Sequence, residues 1–568
     1  MNSMRRCFLK VILIGMAALQ GASTARAREF DAWFVDSLVK VFPSDPPGAQ
    51  RLKRPEYWAA RNQHLSIQLA VRSKASRAQL QARVEPLEGP HGAKIPEVQV
   101  RHVGYVVVAS PTPDSPADEL VGEAPGWYPD PLLDLPFDLE AGRTHSLWIT
   151  VHVPVDAAPG AYQGVIEITA GAHRLVRSQF SLRVVSARVP EERSLKVTNW
   201  LQFNDKVARQ FYGVSAASPE GWKLLENLAR VMAEHRQNVV LTPLLDLVEP
   251  RTGQNGTHYD FSQFDRWVET FRKAGAIGYI EGGHLIGRTG GGYDSPLEVP
   301  ILEVVGGEVR RVALPPEDPR VGEFLAGFLS ALNSHLEQKG WKNIYYQHIL
   351  DEAHGTEPAV YERIAKIVRH HLPGIPIMDA VDADHMPEEL QNNCDVWVPQ
   401  LGLFDDQMDL LERRMKAGRE VWFYTCLYPQ RRYLNRLLDY SLLKVRLLHW
   451  LNFRYNFAGY LHWGWNWWTP EPMLATQPVI NDNQTLLPAG DAFIVYPDRA
   501  NLSVHSSIRF EAMCDGIEDF ELLRLLKAKK PAEAERIAKD AISSFTEYVR
   551  DPVKFREIER RLLKELSE

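Results

Sequence analysis

Apolar runs that resemble strands alternate with amphipathic segments that resemble helices from about residue 195 onward. We count eight such runs, which begin near Val197, Val239, Ile277, Ile344, Ile375, Val396, Val421 and Phe457. The segments with helical periodicity between them are 221–235, 264–273, 321–339, 359–371 and 408–417. Eightfold strand–helix alternation predicts an α/β fold of the (β/α)8, or TIM-like, barrel type. A doubly wound open sheet shares this alternation, but no glycine-rich phosphate loop follows the first run.

A different pattern fills the preceding stretch, residues 28–190. Its short runs alternate apolar and polar residues and are separated by Pro, Gly and Asp; clear examples are 64–71, 98–108, 145–153 and 162–168. Period-two alternation bounded by turn residues is typical of strands that are buried on one face. We therefore expect an antiparallel β-sandwich domain before the barrel.

The length of 568 residues exceeds that of one ordinary domain. We expect a signal peptide at 1–27, the sandwich at 28–190, the barrel at 195–525, and a charged, solvated helical segment at 526–568. A long loop follows the third apolar run of the barrel. Within it, residues 299–312 predict a small hairpin that turns at Gly306-Gly307.

The first 27 residues have the pattern of an export signal. Arg5 and Arg6 give a positive start, residues 11–18 form a short apolar core, and residues 25–27 offer a small-x-small cleavage site. The arginine pair and the residues after it resemble a twin-arginine motif, with an ordinary secretory signal as the alternative. The apolar core is too short to span a membrane. We expect an exported protein, periplasmic or secreted, with no membrane span in the mature chain.

Composition argues against several classes of partner and cofactor. The formal net charge of −7 gives no electrostatic reason to expect nucleic acid or an anionic membrane surface. After the signal peptide only Cys394, Cys426 and Cys514 remain, and an odd number cannot form a full disulfide framework. Cys394 and Cys426 lie in or beside apolar strand-like runs, so we expect these two to be buried, inert thiols. No spacing of Cys and His resembles a zinc site, so we expect no metal and no cofactor. The sequence leaves the oligomeric state open.

Two adjacent carboxylates, Asp351 and Glu352, directly follow the fourth apolar run. In barrel enzymes the active site lies where strands end and the following loops begin. Two unpaired carboxylates are costly to bury at such a place, so they need a partner or a function. One alternative is that Asp351 caps the next helix while Glu352 faces solvent, but the position at a strand end favours a catalytic pair.

Two glycosidase mechanisms fit such carboxylates. Most glycosidases place two acids across the scissile bond, and the partner acid would then lie elsewhere, for example at Asp379 or Glu281. Neighbouring acids at one strand end suit a substrate-assisted route instead, in which a 2-acetamido group of the sugar attacks the anomeric carbon. Glu352 would then be the general acid and base, with a raised pKa. Asp351 would stay ionised and orient the acetamido group.

Residues at other strand ends are candidate contacts to the sugar. The chain has 15 Trp, and aromatic faces suit the apolar face of a sugar ring. The candidate substrate-binding residues are Asn199, Trp200, His284, Gln400, Tyr424, Trp463, Trp465 and Asn466. Their alternative role is packing at the top of the barrel. We expect Asp379 to support the site from behind, His354 to support its loop, and Arg509 and Glu511 to make structural ion pairs.

Several longer motifs resemble glycoside hydrolase family 123 and the uncharacterised bacterial domains related to it. They are HILDEA (348–353), GYLHWGWNWW (459–468), GDAFIVYP (490–497), SIRFEAMCDGIEDFELL (507–523) and, upstream, PGWYPDPLL (125–133) and PGAYQGVIEI (159–168). The resemblance covers most of the mature chain and implies a sandwich followed by a catalytic barrel. Characterised members of the family are β-N-acetylgalactosaminidases that retain configuration through the acetamido group. Their consecutive Asp and Glu correspond to Asp351 and Glu352.

The resemblance implies a carbohydrate substrate, a glycan or glycolipid with a terminal N-acetylhexosamine. The assignment of this sugar rests on the family resemblance alone. Neither composition nor residue spacing indicates which sugar is bound. Two alternatives stay open. One is a glycosidase of other sugar specificity with a conventional two-carboxylate mechanism, and the other is a non-catalytic carbohydrate-binding protein on the same fold. The intact Asp351-Glu352 pair argues against the second.

Overall fold

The computed structural model describes residues 29–253, 256–382, 386–480 and 485–567. The expected signal peptide, residues 1–27, lies outside the described residues. What is described is a mixed α/β fold with a β-rich N-terminal part, as the sequence pattern predicted. In the described ranges, no helix is both long enough and apolar enough to span a membrane.

Twelve strands make up the N-terminal part. They are β1 (Phe30–Val35), β2 (Glu56–Arg61), β3 (His64–Ser73), β4 (Arg77–Val84), β5 (Leu87–Glu88), β6 (Lys94–Ile95), β7 (Val98–Val108), β8 (Gly126–Leu133), β9 (Phe137–Leu139), β10 (Thr144–His152), β11 (Gly160–Ala170) and β12 (His173–Arg188). One sheet has the order β1-β3-β10-β7-β8, and the other has the order β2-β12-β11-β4-β9, with β5 and β6 beside β11. All neighbours pair antiparallel except β2 and β12.

The two N-terminal sheets share one apolar core, which explains the alternation in their sequences. In β10, Leu147, Ile149 and Val151 point into that core. Trp148 between them points to the other side, where it joins the core of the C-terminal part. Successive side chains of a strand face opposite sides of its sheet. This strand is therefore buried on both faces because the sheet also packs on the remainder of the chain.

The remaining strands are β13 (Lys196–Asn199), β14 (Val239–Thr242), β15 (Glu249–Gly253), β16 (Gly256–Asp260), β17 (Tyr279–Gly282), β18 (Gly287–Arg288), β19 (Leu297–Val305), β20 (Glu308–Leu314), β21 (Tyr345–Gln347), β22 (Met378–Val381), β23 (Val396–Pro399), β24 (Trp422–Tyr424), β25 (Gly459–His462), β26 (Val479–Ile480), β27 (Thr485–Leu486), β28 (Tyr496–Asp498) and β29 (Ser503–His505). Each of the eight predicted apolar runs contains one short strand. These eight strands pair parallel, in the groups β13-β25-β24, β14-β17-β21 and β22-β23. Their carboxyl ends therefore share one edge within each group.

The helices are α1 (Asp205–Val207), α2 (Pro219–Glu234), α3 (Ser262–Ala274), α4 (Pro319–Lys339), α5 (Glu357–His371), α6 (Glu388–Asn393), α7 (Phe404–Lys416), α8 (Leu442–Tyr455), α9 (Ile508–Lys529), α10 (Pro531–Ala541) and α11 (Pro552–Ser567). All five predicted helical segments coincide with α2, α3, α4, α5 and α7. The predicted hairpin is also confirmed, because β19 and β20 pair antiparallel with Val305 opposite Glu308. Gly306 and Gly307 both have positive φ, which glycine adopts without strain.

The C-terminal segment differs from the expected solvated cap. α9 continues to Lys529 and is buried along most of its length. α11 buries one face, including Phe555 and Leu562, because it packs against α9 and the N-terminal strands. Arg556 of α11 donates to both carboxylate oxygens of Asp36, at 3.0 Å each. Arg556, one of the charges that suggested solvent exposure, thus makes an ion pair between the two parts of the chain.

Buried ion pairs also join α9 to the N-terminal sheets. Arg509 donates to Asp130 at 2.8 and 3.0 Å, and both side chains are fully buried. Arg101 donates to Glu511 at 3.0 Å. The expected structural role of Arg509 and Glu511 agrees with these contacts. Cys394 and Cys426 are free and buried, as predicted, and Cys514 is also free and buried.

Candidate active site

The predicted catalytic pair lies directly after β21, in the turn that leads to α5. β21 ends at Gln347, earlier than the apolar run suggested, because the backbone N–H of Ile349 donates to the carboxylate of Asp379 and not to a strand. Glu352 has a φ of 50°, in the left-handed region that is unfavourable for a side chain of this kind. Its N–H donates to the carbonyl of Ala380 at 3.2 Å. The backbone of the pair is therefore held in an unusual turn.

Arg288, from the loop after the third parallel strand, holds this turn in place. Its guanidinium donates to the backbone carbonyls of Asp351 at 3.0 Å and Glu352 at 3.2 Å. It also pairs with Glu357 of α5 at 2.7 Å, and it lies 5.2 Å from the centre of the Tyr293 ring. The sequence marked the segment that begins at Arg288 only as a flexible loop. No local pattern indicated that its guanidinium reaches the catalytic pair.

A buried histidine lies beneath the pair. His348 has no exposed surface, and its Nε2 lies 2.8 Å from Glu281 while its Nδ1 lies 3.0 Å from Asp379. Burial opposes a charge on this ring, but the hydrogen bonds to Asp379 and Glu281 outweigh it and raise the pKa of His348 to about 10. The expected supporting position of Asp379 agrees with this geometry. Both acids that the conventional mechanism would use are bound to this ring.

Burial raises the pKa of both carboxyl groups of the catalytic pair. For Asp351, the charge of His348 opposes this effect, whereas Asp379 adds to it. For Glu352, the neighbouring Asp351 carboxylate adds to the effect of burial, and the hydrogen bond from Tyr424 opposes it. The charge with the largest effect is thus positive for Asp351 and negative for Glu352. This difference favours an ionised Asp351 beside a protonated Glu352.

Tyr424 and Gln400 lie at the carboxyl ends of their own strands, β24 and β23, as the pair follows the carboxyl end of β21. The Tyr424 hydroxyl donates to Oε1 of Glu352, so this predicted substrate contact touches the carboxyl group of Glu352 directly. Gln400 follows β23 and donates to Asp382 at 3.1 Å. Asp382 is exposed and raises the pKa of Glu352, which places a third acid at the site. The sequence pattern did not single out Asp382.

Trp200, His284 and Trp463 border the site and are partly buried. The Trp200 indole donates to Glu281 at 2.7 Å, and its ring meets His284 edge to face at 5.2 Å. His284 in turn packs on His348, with ring centres 4.4 Å apart. Trp463 follows β25, and its indole lies 3.3 Å from the buried Asp491. Contact of these three side chains with a bound sugar stays a prediction.

Three of the predicted sugar contacts lie elsewhere, and we correct them. Trp465 is fully buried and packs on Phe510, with ring centres 6.3 Å apart. Asn466 is buried, and its amide bonds to the backbone of Gln202 at 2.7 and 2.9 Å. Asn199 is buried between Gln237 and Arg436. All three side chains are buried and contact other parts of the protein, so they have no free surface for a sugar.

His354 supports the loop, as expected. Its ring stacks on Tyr293 with centres 4.1 Å apart, and its Nδ1 lies 3.2 Å from Glu357.

A group of His284, His348 and Asp379 offers three potential metal-ligand atoms within 4.8 Å of one another. Both nitrogens of His348 already contact carboxylates, so this ring has no lone pair to give a metal ion.

Comparison with known proteins places the chain in a class and then in a family. The profile described as "Glycoside hydrolase 123, catalytic domain" matches residues 200–526, and the profile of the glycoside hydrolase 123 N-terminal domain matches residues 43–170. With the acid pair at the strand ends, these matches define a glycoside hydrolase. The chain belongs to glycoside hydrolase family 123.

A solved structure has a similar fold. A family 123 glycoside hydrolase from Clostridium perfringens, described in connection with glycolipid glycan hydrolysis, is 16% identical with a TM-score of 0.73, over 95% of this chain and 97% of that one. At this identity the likeness shows the fold alone. A family 39 glycoside hydrolase from Bacteroides cellulosilyticus is 11% identical over 77% of this chain and 82% of that one, with a TM-score of 0.35 that carries no argument. No curated protein matches the chain.

Proposed function

We propose that this glycoside hydrolase is a retaining β-N-acetylhexosaminidase, similar to β-N-acetylgalactosaminidases, that uses the 2-acetamido group of its substrate as the nucleophile. One observation carries the proposal: Asp351 and Glu352 are adjacent, are held in one turn, and lie in opposite electrostatic surroundings. Such a pair supplies one ionised and one protonated carboxyl group at the same strand end.

In the first step Glu352 would donate its proton to the glycosidic oxygen while the acetamido carbonyl oxygen bonds to the anomeric carbon. The bond to the leaving oxygen breaks, and that oxygen keeps the electron pair and the proton. Asp351 would accept a hydrogen bond from the acetamido N–H and stabilise the positive charge of the oxazolinium ring. In the second step Glu352 would take a proton from water while the water oxygen bonds to the anomeric carbon. The bond from that carbon to the acetamido oxygen breaks, which gives net retention.

The arrangement of the other acids supports the substrate-assisted route over the conventional one. Glu281 and Asp379 are fully buried and bound to His348, so neither is free to attack a sugar. Asp382 is exposed near Glu352. It would be the nucleophile of a conventional retaining mechanism, and Asp382→Asn separates the two routes because it removes that nucleophile while leaving Asp351 and Glu352 intact.

The proposal also includes closure of the eight parallel strands into one (β/α)8 barrel within residues 195–525, after a sandwich at 28–190. Isolated parallel bridges link the groups of strands, from Gln347 to Ile377 and from Trp397 to Val421. The remaining gap is bridged by the N–H of Asn238, which donates to the carbonyl of Val197 at 3.3 Å. These contacts support a ring with the catalytic pair at its carboxyl-terminal rim.

We propose export of the mature chain on the basis of residues 1–27 alone.

The test compares aryl 2-acetamido-2-deoxy-β-galactoside, its gluco epimer and the plain β-galactoside as substrates. We expect turnover of an acetamido sugar and at least a thousandfold slower turnover of the plain galactoside, because the latter has no internal nucleophile. Glu352→Gln should lower kcat by roughly 100-fold to 10,000-fold, and Asp351→Asn should lower it on acetamido substrates. Equal rates on the plain galactoside, or an Asp382→Asn variant that is inactive while Asp351→Asn is active, would overturn the acetamido mechanism.

A further inference from the structure

The buried ring of His348 touches an acid on each side. Its two nitrogens lie 2.8 Å from Glu281 on β17 and 3.0 Å from Asp379 on β22. A carboxylate accepts hydrogen bonds, so two such contacts require an N–H on both ring nitrogens. The geometry alone therefore describes a charged imidazolium in a site with no exposed surface.

Both acids are themselves fixed by further donors. Glu281 also accepts from the hydroxyl of Thr198 at 2.6 Å and from the indole of Trp200 at 2.7 Å. Asp379 accepts from the hydroxyl of Tyr361 at 2.6 Å and from the N–H of Ile349. Donated hydrogen bonds stabilise the ionised form of a carboxyl group; at Asp379 they oppose burial, which raises its pKa. With an N–H on both ring nitrogens and two acceptor carboxylates, the cluster of Glu281, His348 and Asp379 has two negative charges and one positive charge, a net charge of −1.

This buried cluster bears on Asp351. Among the groups that act on the Asp351 carboxylate, His348 and Arg288 favour its ionised form, whereas Asp379 and Glu281 oppose it. Its neighbour Glu352 adds a carboxyl group from the same turn. Removal of the imidazolium charge would leave Asp351 above two uncompensated carboxylates. A proton would then remain on Asp351 at a pH where catalysis needs it ionised.

We propose that His348 is a positioning residue whose positive charge balances Glu281 and Asp379 and so keeps Asp351 ionised while Glu352 retains its proton. This inference rests on the proposed function for its catalytic consequence but not for the charge itself. It assigns a role to the His of the HILDEA motif that is separate from contact with the sugar.

The charge of the cluster can be changed one unit at a time. His348→Gln makes the net charge −2, Glu281→Gln makes it 0, and the double variant restores −1. We expect the acidic limb of the kcat/KM profile to move about one pH unit upward in His348→Gln and downward in Glu281→Gln. It should return to within half a unit of the parent in the double variant. His449→Gln, which replaces another fully buried histidine whose Nδ1 contacts Asn452, is the matched control and should leave the limb unmoved.

A purely structural role would lower kcat/KM by the same factor at every pH and in every variant, and that result would overturn the inference. Because some variants could unfold, circular dichroism and melting temperature accompany each profile. A second measurement needs no turnover. Nuclear magnetic resonance of the imidazole nitrogens in the parent protein should show His348 doubly protonated at pH 8, and a neutral ring at pH 7 would contradict the inference even if the proposed substrate proves wrong.

Discussion

The side chains around Glu352 set the range of pH in which it holds a proton. Burial and Asp351 raise its pKa, while the hydrogen bond from Tyr424 stabilises the ionised form and lowers it. In the proposed mechanism the active form has Glu352 protonated and Asp351 ionised. In a plot of kcat/KM against pH, the acidic limb therefore reports the ionisation of Asp351 and the alkaline limb that of Glu352. Because both pKa values are raised, we expect a bell-shaped profile with both limbs above the ordinary carboxyl range.

Tyr424→Phe tests this account of the alkaline limb. Loss of the donated hydrogen bond destabilises the ionised form of Glu352, so its pKa rises and the alkaline limb of kcat/KM moves to higher pH. We also expect kcat to fall about tenfold, since a hydrogen bond to a charged group contributes roughly 1.5–3 kcal/mol. Tyr105→Phe, which removes a hydroxyl that donates to Thr144 in the N-terminal sheet, is the control. A downward shift in Tyr424→Phe would contradict the assignment of Glu352.

Asp351 and Glu352 could be nominated from the sequence because an apolar run ends in two acids, which is a local pattern. Of the other residues nominated at strand ends, Tyr424 contacts Glu352 and Gln400 contacts Asp382. Arg288 was missed because it comes from a distant loop and its partners are backbone carbonyls, which have no sequence signature. Trp465 and Asn466 were misplaced because the direction of side chains after a strand depends on how the chain turns.

Among the elements, the loop that carries Arg288 has the clearest influence on the site. Its guanidinium joins β18 to the turn after β21 and to the start of α5. Glu352 needs such support because its left-handed backbone costs of order 1–3 kcal/mol. The strain persists only while the surrounding contacts hold the turn.

Arg288→Gln should therefore lower kcat more than it raises KM. We expect kcat to fall tenfold to a hundredfold, because a misplacement of about 1 Å can cost about a hundredfold, and KM to change less than threefold. The melting temperature should fall by only a few degrees. Arg310→Gln on β20, where the guanidinium is exposed, is the control. An unchanged kcat in Arg288→Gln would show that Arg288 does not hold the turn of Asp351 and Glu352 in place.

Element by element, periodicity predicted all eight strand positions and the five longest helical segments it marked. Strand lengths were overestimated because the apolar runs continue into loops that are also buried. The nature of α11 was mistaken for a similar reason: its Arg and Glu residues suggested solvent, yet Arg556 and Glu559 pair with each other and with Asp36 and Arg446. Charge composition alone cannot show whether a partner charge lies across an interface.

For the whole molecule, the contact between the N-terminal sheets and α9 depends on a few buried charges. Asp130 and Arg509 have no exposed surface and bond at 2.8 and 3.0 Å. Two residues 379 positions apart cannot be matched from one sequence. This explains why the sequence predicted each part of the chain but not how the parts join.

Asp130→Asn should destabilise the protein by about 3–5 kcal/mol, because it leaves the Arg509 guanidinium buried without a counter-charge. The measurement is equilibrium unfolding in denaturant, followed by fluorescence. Asp134→Asn, an exposed neighbour on the same segment, should change the free energy of unfolding by less than about 0.5 kcal/mol. Similar small losses in both variants would show that the buried pair does not hold the parts together.

The same ion pair has a consequence for the order in which the molecule is made. A ribosome adds roughly 5–20 residues per second, so the 379 residues between Asp130 and Arg509 take roughly 20–80 seconds to synthesise. The first sheet is complete once β10 has been made, at residue 152, but α9, which packs on this sheet, begins only at Ile508. Trp148 and Asp130, both destined for burial, meanwhile face water or a chaperone. The nascent N-terminal part must therefore remain soluble on its own for longer than most domains need to fold.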